Sequence, residues 1–197
     1  IVNTDPHTVF GLNVDPFWSS NQFGLLYGNG QSYGWINNEY SISSPIDVLS
    51  NWTNIVVTKN GFEWNTFHNG QLIDTFTAQQ QPLSILSSLV LGSISLDYVT
   101  SEYFHGHMNN IQLWDVSLTQ EQIQSYMSCP PTGQEEGLVG YWKFNEGSGD
   151  TVYDISGNGN HGIIYGGAEF SEDVSEIFSG CVDENALNFD ESALCDN

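Results

Sequence analysis

Arginine is absent from this 197-residue chain, and Lys59 and Lys143 are its only lysines. Against them stand 24 aspartates and glutamates, for a formal net charge of −22. A surface charged in this way repels phosphate backbones and anionic lipid, so nucleic acid is excluded as a partner. Long apolar runs are missing too. The most apolar stretch, residues 83–96, is broken by Ser84, Ser87, Ser88, Ser93 and Ser95, and is too polar for membrane insertion. No signal-peptide pattern is visible, and a start at Ile1 rather than Met leads us to expect a mature or excised piece of something larger. The motifs of catalysis are lacking as well. There is no strand-borne carboxylate array of the Glu-x-Asp-x-x-Glu kind that glycan hydrolysis uses, no Gly-x-Ser-x-Gly elbow, and no glycine-rich phosphate loop with its lysine. The expectation is a chain that is not an enzyme.

Cysteine is scarce, at Cys129, Cys181 and Cys195, two of them beside Pro130 and Gly180. Positions of that kind suit a staple better than a core thiol, so we expect an oxidising compartment and a secreted or cell-surface location. Asn51-Trp52-Thr53 forms a glycosylation sequon. Acidic residues are unevenly spread, with 10 in residues 1–128 and 14 in the shorter stretch 129–197. The C-terminal third is therefore the cation-attracting part.

What the chain does contain is a strand pattern. Residues 52–59, 62–68 and 71–77 alternate in polarity and are separated by Asn60-Gly61 and Asn69-Gly70, both suited to type I′ turns. Within the middle strand Trp64, Thr66 and His68 fall on one face, and Glu63, Asn65 and Phe67 on the other. Further strands are expected at 8–12, 23–27, 89–94, 106–114, 138–145 and 162–165, with a glycine-punctuated hairpin ending at Trp35-Ile36. One helix stands out. Thr119 with Gln122 makes a capping box, Pro130-Pro131 forbids continuation, and Ile123, Tyr126 and Met127 form an apolar stripe.

The run Gly137-Leu138-Val139-Gly140-Tyr141-Trp142-Lys143-Phe144-Asn145-Glu146-Gly147-Ser148-Gly149, continuing to Asp154-Ile155-Ser156-Gly157-Asn158-Gly159-Asn160-His161-Gly162, resembles the opening of a laminin-G-like jelly roll. Upstream, residues 103–114 and 118–123 resemble the last strand and exit helix of the same concanavalin A-like family. The resemblance covers roughly residues 8–170 and implies an all-β, two-sheet antiparallel jelly-roll sandwich with one short helix after the last strand of the main segment. Because the opening motif follows the closing one, either the order is permuted or the chain crosses from one repeat into the next. Permuted closure is the reading adopted, since a sandwich lacking its first strands exposes sheet edges. The expected organisation is a main sandwich over 1–128, a linker over 129–136, a returning segment over 137–178, and a partial Cys- and Asp-rich repeat over 179–197. That repeat resembles those of large secreted proteins of marine Bacteroidetes, which implies neighbouring domains of the same polypeptide as partners.

Calcium is the expected cofactor. Asp154, Ser156, Asn158 and Asn160, with Gly157 and Gly159 interleaved, offer oxygens at every second position of a turn, although a hydrogen-bonded turn explains the same pattern. The resemblance implies a calcium ion near Glu146 and Asn109, weakened here by Asn where the family often has Asp. Asp183 and Asp190 in the tail are further candidates. His105 and His107 share a strand face but lack the third and fourth ligands that zinc needs. For a glycan or glycoprotein surface, the candidates are Trp18, Tyr33, Trp35 and Asn37, from a stretch crowded with aromatics and amides. Two functional readings stay open, a non-catalytic recognition module of an adhesin-like protein and a structural spacer, with a degenerate glycanase behind them. For the staple, Cys129 with Cys181 would lock the returning segment by closing a loop of about fifty residues, worth about 4 kcal/mol of chain entropy. Cys181 with Cys195 is the competitor.

Overall fold

The computed structural model describes residues 7–13, 23–28, 31–36, 39–45, 52–79, 88–92, 104 and 106–172. Trp18, Asn37, Cys181, Cys195, Asp183 and Asp190 lie outside them, as do His105 and the tail repeat. Two compact units are formed, Ile1–Gly106 and His107–Asn197.

Among its described residues, the regular elements of the first unit are strands. A five-stranded sheet has the order β4-β3-β2-β1-β8, from β1 (His7–Asn13), β2 (Phe23–Gly28), β3 (Gln31–Ile36), β4 (Glu39–Pro45) and β8 (Ser88–Leu91). All its pairings are antiparallel. The expected meander forms a separate three-stranded sheet of β5 (Ile55–Asn60), β6 (Glu63–His68) and β7 (Gln71–Thr77). Asn69 and Gly70 both have positive φ, 48° and 71°, as a type I′ turn requires. The other turn differs from expectation. Its central residues are Gly61 and Phe62, closing the Asn60–Glu63 pair, and only Gly61 has positive φ, at 61°. That is the glycine-first pattern of a type II′ turn.

The reason lies at the far end of the hairpin. Asn69 donates its N–H to the Asn54 carbonyl and accepts the Asn54 N–H on its side-chain oxygen, both at 2.9 Å. These bonds continue the register that pairs Ile55 with His68, whereas a turn centred on Asn60-Gly61 would shift every partner by two. Side-chain alternation is blind to such a shift, because both registers put the same residues on the same face. Phe67 and His68 are neighbours in β6 and both are buried, so both faces of the strand are covered there, and a bulge in the pairing with β7 leaves Ile73 as the extra residue. Trp64 and Ala78 form a small core with Val57 and Phe76 packed against it.

The second unit contains β9 (Ile111–Trp114), α1 (Gln120–Ser128), β10 (Leu138–Trp142), β11 (Thr151–Val152) and β12 (Gly162–Ile163). The returning segment pairs with the closing strand: β10 runs antiparallel to β9, with Gly140 opposite Leu113 and Trp142 opposite Ile111. Both strands are shorter than expected, because Asn110 (φ 54°) precedes β9 and Phe144 (φ 57°) follows β10, each in the left-handed region that no strand continues through. The helix forms as its cap predicts. Thr119 Oγ1 accepts the Gln122 N–H at 3.3 Å, and the Gln122 side chain accepts the Thr119 N–H at 2.8 Å. Cys129 is its C-cap. Ile123 is buried, and Tyr126 stacks on Trp114 of β9 with ring centroids 5.1 Å apart.

Candidate functional site

The conspicuous glycine-punctuated turn of residues 154–161 is held to the outer edge of β10. Asp154 is its hub. One carboxylate oxygen accepts the N–H groups of Tyr141 and Ser156, the other that of Asn160, all at 2.9 Å. Ile155 N–H returns a bond to the Tyr141 carbonyl at 2.9 Å, so residues 154–155 act as a short extra strand beside β10. The Val139 carbonyl then accepts from Ser156 Oγ, Asn158 Nδ2 and Asn160 Nδ2. Asn158 Nδ2 also reaches the Leu138 carbonyl at 3.0 Å, and the Trp142 indole N–H donates to the Asn160 carbonyl at 2.8 Å.

Burial raises the Asp154 pKa, but the N–H donors of Tyr141, Ser156 and Asn160, with the Ser156 side chain, outweigh it and hold the carboxyl below its ordinary value. Glu135, in the stretch expected to be a plain linker, is treated alike. Its carboxylate accepts from Thr132 N–H, Thr132 Oγ1 and Gly133 N–H, and these overcome the upward push of burial. Beside it the fully buried Tyr141 phenol is pushed up to about 12, chiefly by desolvation and then by the Glu135 charge. Tyr141 donates its hydroxyl proton to Asn110 Oδ1 at 2.8 Å. Where arginine and lysine are almost absent, backbone N–H groups take over as the partners of these carboxylates.

Against a calcium ion, these residues divide. Calcium takes six to eight oxygens. Asp154 spends three lone-pair sites on N–H donors and is only 6% exposed, and the Asn158 amide nitrogen is bound to two carbonyls, so this turn is organised by its own hydrogen bonds. Glu146 is different. Its Oε1 accepts the Tyr153 N–H at 2.7 Å, while Oε2 is buried with no hydrogen-bond partner. Asn109 is half-buried in the same unit, next to Asn110, which anchors Tyr141. Among the described residues no three His, Cys, Asp or Glu side chains converge as a metal cluster. Tyr33 and Trp35 both lie on β3; Tyr33 pairs with Leu26 and Ile42, and Trp35 with Gly24 and Tyr40. Residue pattern gave no sign of β4, β11 or of the Glu135 turn as a capped structure, although Thr132-x-x-Glu135 has the spacing of a capping box.

This architecture matches known proteins. The laminin-G-type model of the concanavalin A-like lectin/glucanases superfamily matches residues 3–124. The chain belongs to that family. Among solved structures, it is similar to a candidate carbohydrate binding protein from Bacteroides ovatus ATCC 8483, with a TM-score of 0.65 and 18% identity over 80% of this chain. The chain spans 47% of that protein's length. An S-layer domain-containing protein from Clostridium thermocellum ATCC 27405 aligns over 65% of each chain at 18% identity, with a TM-score of 0.34, too low to carry an argument. No curated protein matches. Among the described residues, no helix is long and apolar enough to cross a membrane.

Proposed function

We propose that this chain is a non-catalytic glycan-recognition module of a larger secreted or cell-surface protein. Membership of a superfamily of lectins and glucanases carries the reading, and the fold shared with a candidate carbohydrate binder from Bacteroides ovatus supports it. Two of the described carboxylates are arranged for structure and not for hydrolysis. A glycanase needs two side-chain carboxyls facing one glycosidic bond, with lone pairs or a proton to give it. Asp154 and Glu135 instead direct theirs at backbone N–H groups. In this reading calcium is held at Glu146, whose buried Oε2 lacks a partner, with Asn109 as a second protein oxygen. Asp154 organises the adjoining turn and is not a ligand.

A screen of immobilised glycans, run with calcium and with chelator, tests the function. Binding of at least one glycan class is the expected result. No binding under either condition, with the protein folded, would leave the spacer reading, and release of reducing ends from a bound glycan would make the module an enzyme.

A further inference from the structure

We infer that the outward face of the β11–β12 ribbon, carrying Tyr153, His161 and Tyr165, is a stacking surface for uncharged pyranose glycans. This rests on the glycan-binding reading and gives it a location and a ligand class. In the ribbon Thr151 pairs with Ile163 and Val152 with Gly162, and the ladder continues to a 2.7 Å bond from Ile164 N–H to the Asp150 carbonyl. Val152 points inward and is buried, so alternation turns Tyr153, His161, Ile163 and Tyr165 to the other side. The Tyr153 and His161 rings meet edge to face at 5.3 Å, as that geometry requires. Tyr153, Ile163 and Tyr165 are 55%, 58% and 69% exposed.

The platform is preorganised. Tyr153 N–H is held by Glu146 Oε1 and Asp154 N–H by His161 Nδ1 at 3.0 Å, which fixes backbone and ring on both sides of the tyrosine. An imidazole that accepts at Nδ1 carries its proton on Nε2, and this N–H is left to donate to a ligand. Phenol faces suit the C–H face of a sugar ring, while the tyrosine hydroxyls and the Nε2–H suit its O–H groups.

Charge selects among sugars. The chain has no arginine, and both lysines are occupied by its own aromatic rings, Lys59 Nζ 5.8 Å from the Trp64 centroid and Lys143 Nζ 5.6 Å from Tyr141. A uronate or sulfate would enter the field of a chain at −22 with no arginine to pair it. The same repulsion opposes a second copy as the occupant.

Calorimetric titration of the whole chain with glucan, mannan and xylan hexasaccharides, and with alginate and heparin oligosaccharides of equal length, tests this. At least one neutral series is expected to bind, the acidic ones about tenfold more weakly or not at all. Tyr153→Ala and Tyr165→Ala should each weaken binding about tenfold or more, with unfolding midpoints unchanged, and Tyr165→Trp should retain it. If the parent binds but both alanine variants bind equally well, this surface is wrong and the glycan reading stands. If the parent binds none, the reading itself fails and takes this inference with it. Equal or tighter binding of the acidic oligosaccharides overturns the charge selection. Self-association in sedimentation that Tyr165→Ala abolishes, with glycan affinity intact, makes the face a contact between copies.

Discussion

Asp154 shows what a carboxylate does in a protein with almost no cations to pair it. Three N–H donors converge on it, and removing the acceptor leaves all three without one. Asp154→Ala is expected to cost about 3 kcal/mol in urea unfolding, and Asp154→Asn, which keeps one oxygen, about half of that. The pH dependence follows from sign. The Asp154 and Glu135 pKa values are lowered in the folded state, so their stabilisation is complete above the unfolded values of 3.8 and 4.5 and is lost as pH falls through the folded ones. His68 acts earlier on the same descent. Burial lowers its pKa, so the unfolded chain takes up a proton first once pH drops below 6.5, and stability falls with it. Unfolding midpoints measured from pH 8 to 3 should decline first below about 6.5 and more steeply below about 4. His68→Phe should remove only the first decline; a curve unchanged by it would assign that decline elsewhere.

At the level of elements, two glycines test different physics. Gly61 has φ 61° and open space where a Cβ would stand, so Gly61→Ala costs only the left-handed conformation, about 1 kcal/mol. Gly140 has ordinary φ, but a Cβ there would run into the Trp142 indole. Gly140→Ala is expected to cost about 1–3 kcal/mol by overpacking and to shift Trp142 fluorescence, because the indole must leave its bond to the Asn160 carbonyl. Equal costs with no spectral change would mean that the strand absorbs the methyl. The helix offers a simpler case: Thr119→Ala removes half of a closed capping box and should cost about 1 kcal/mol.

For the whole molecule, charge acts on stability in a way that no single contact reveals. Self-repulsion at −22 opposes the compact state and is screened by salt, so the melting temperature should rise between low and physiological ionic strength. At constant ionic strength, calcium at a hundredfold excess over its Kd should add about 2.7 kcal/mol, and magnesium less. Glu146→Gln should abolish the calcium increment, while Asp154→Asn lowers stability but leaves the increment intact. An increment insensitive to Glu146→Gln would move the ion elsewhere, and equal midpoints in calcium, magnesium and chelator would remove it.

The strand-dominated architecture, the meander, the Asn69-Gly70 turn and the capped helix were all legible in the residues, because each is decided by neighbours within a few positions: alternation, positive φ, an N-cap. Other features depended on partners distant in the chain. The first turn of the meander follows the Asn54–Asn69 clamp, which alternation cannot detect. Phe144 ends β10 by a left-handed φ that its side chain gives no reason to expect. The oxygens of Asp154 and Asn158 look alike to calcium and to a hydrogen-bonded turn when read as letters. Only the approach of Tyr141 N–H and the Val139 carbonyl, 13 and 19 residues away, commits Asp154 and the Asn158 amide nitrogen to the turn, and only the packing around Glu146 leaves one carboxylate oxygen without a donor.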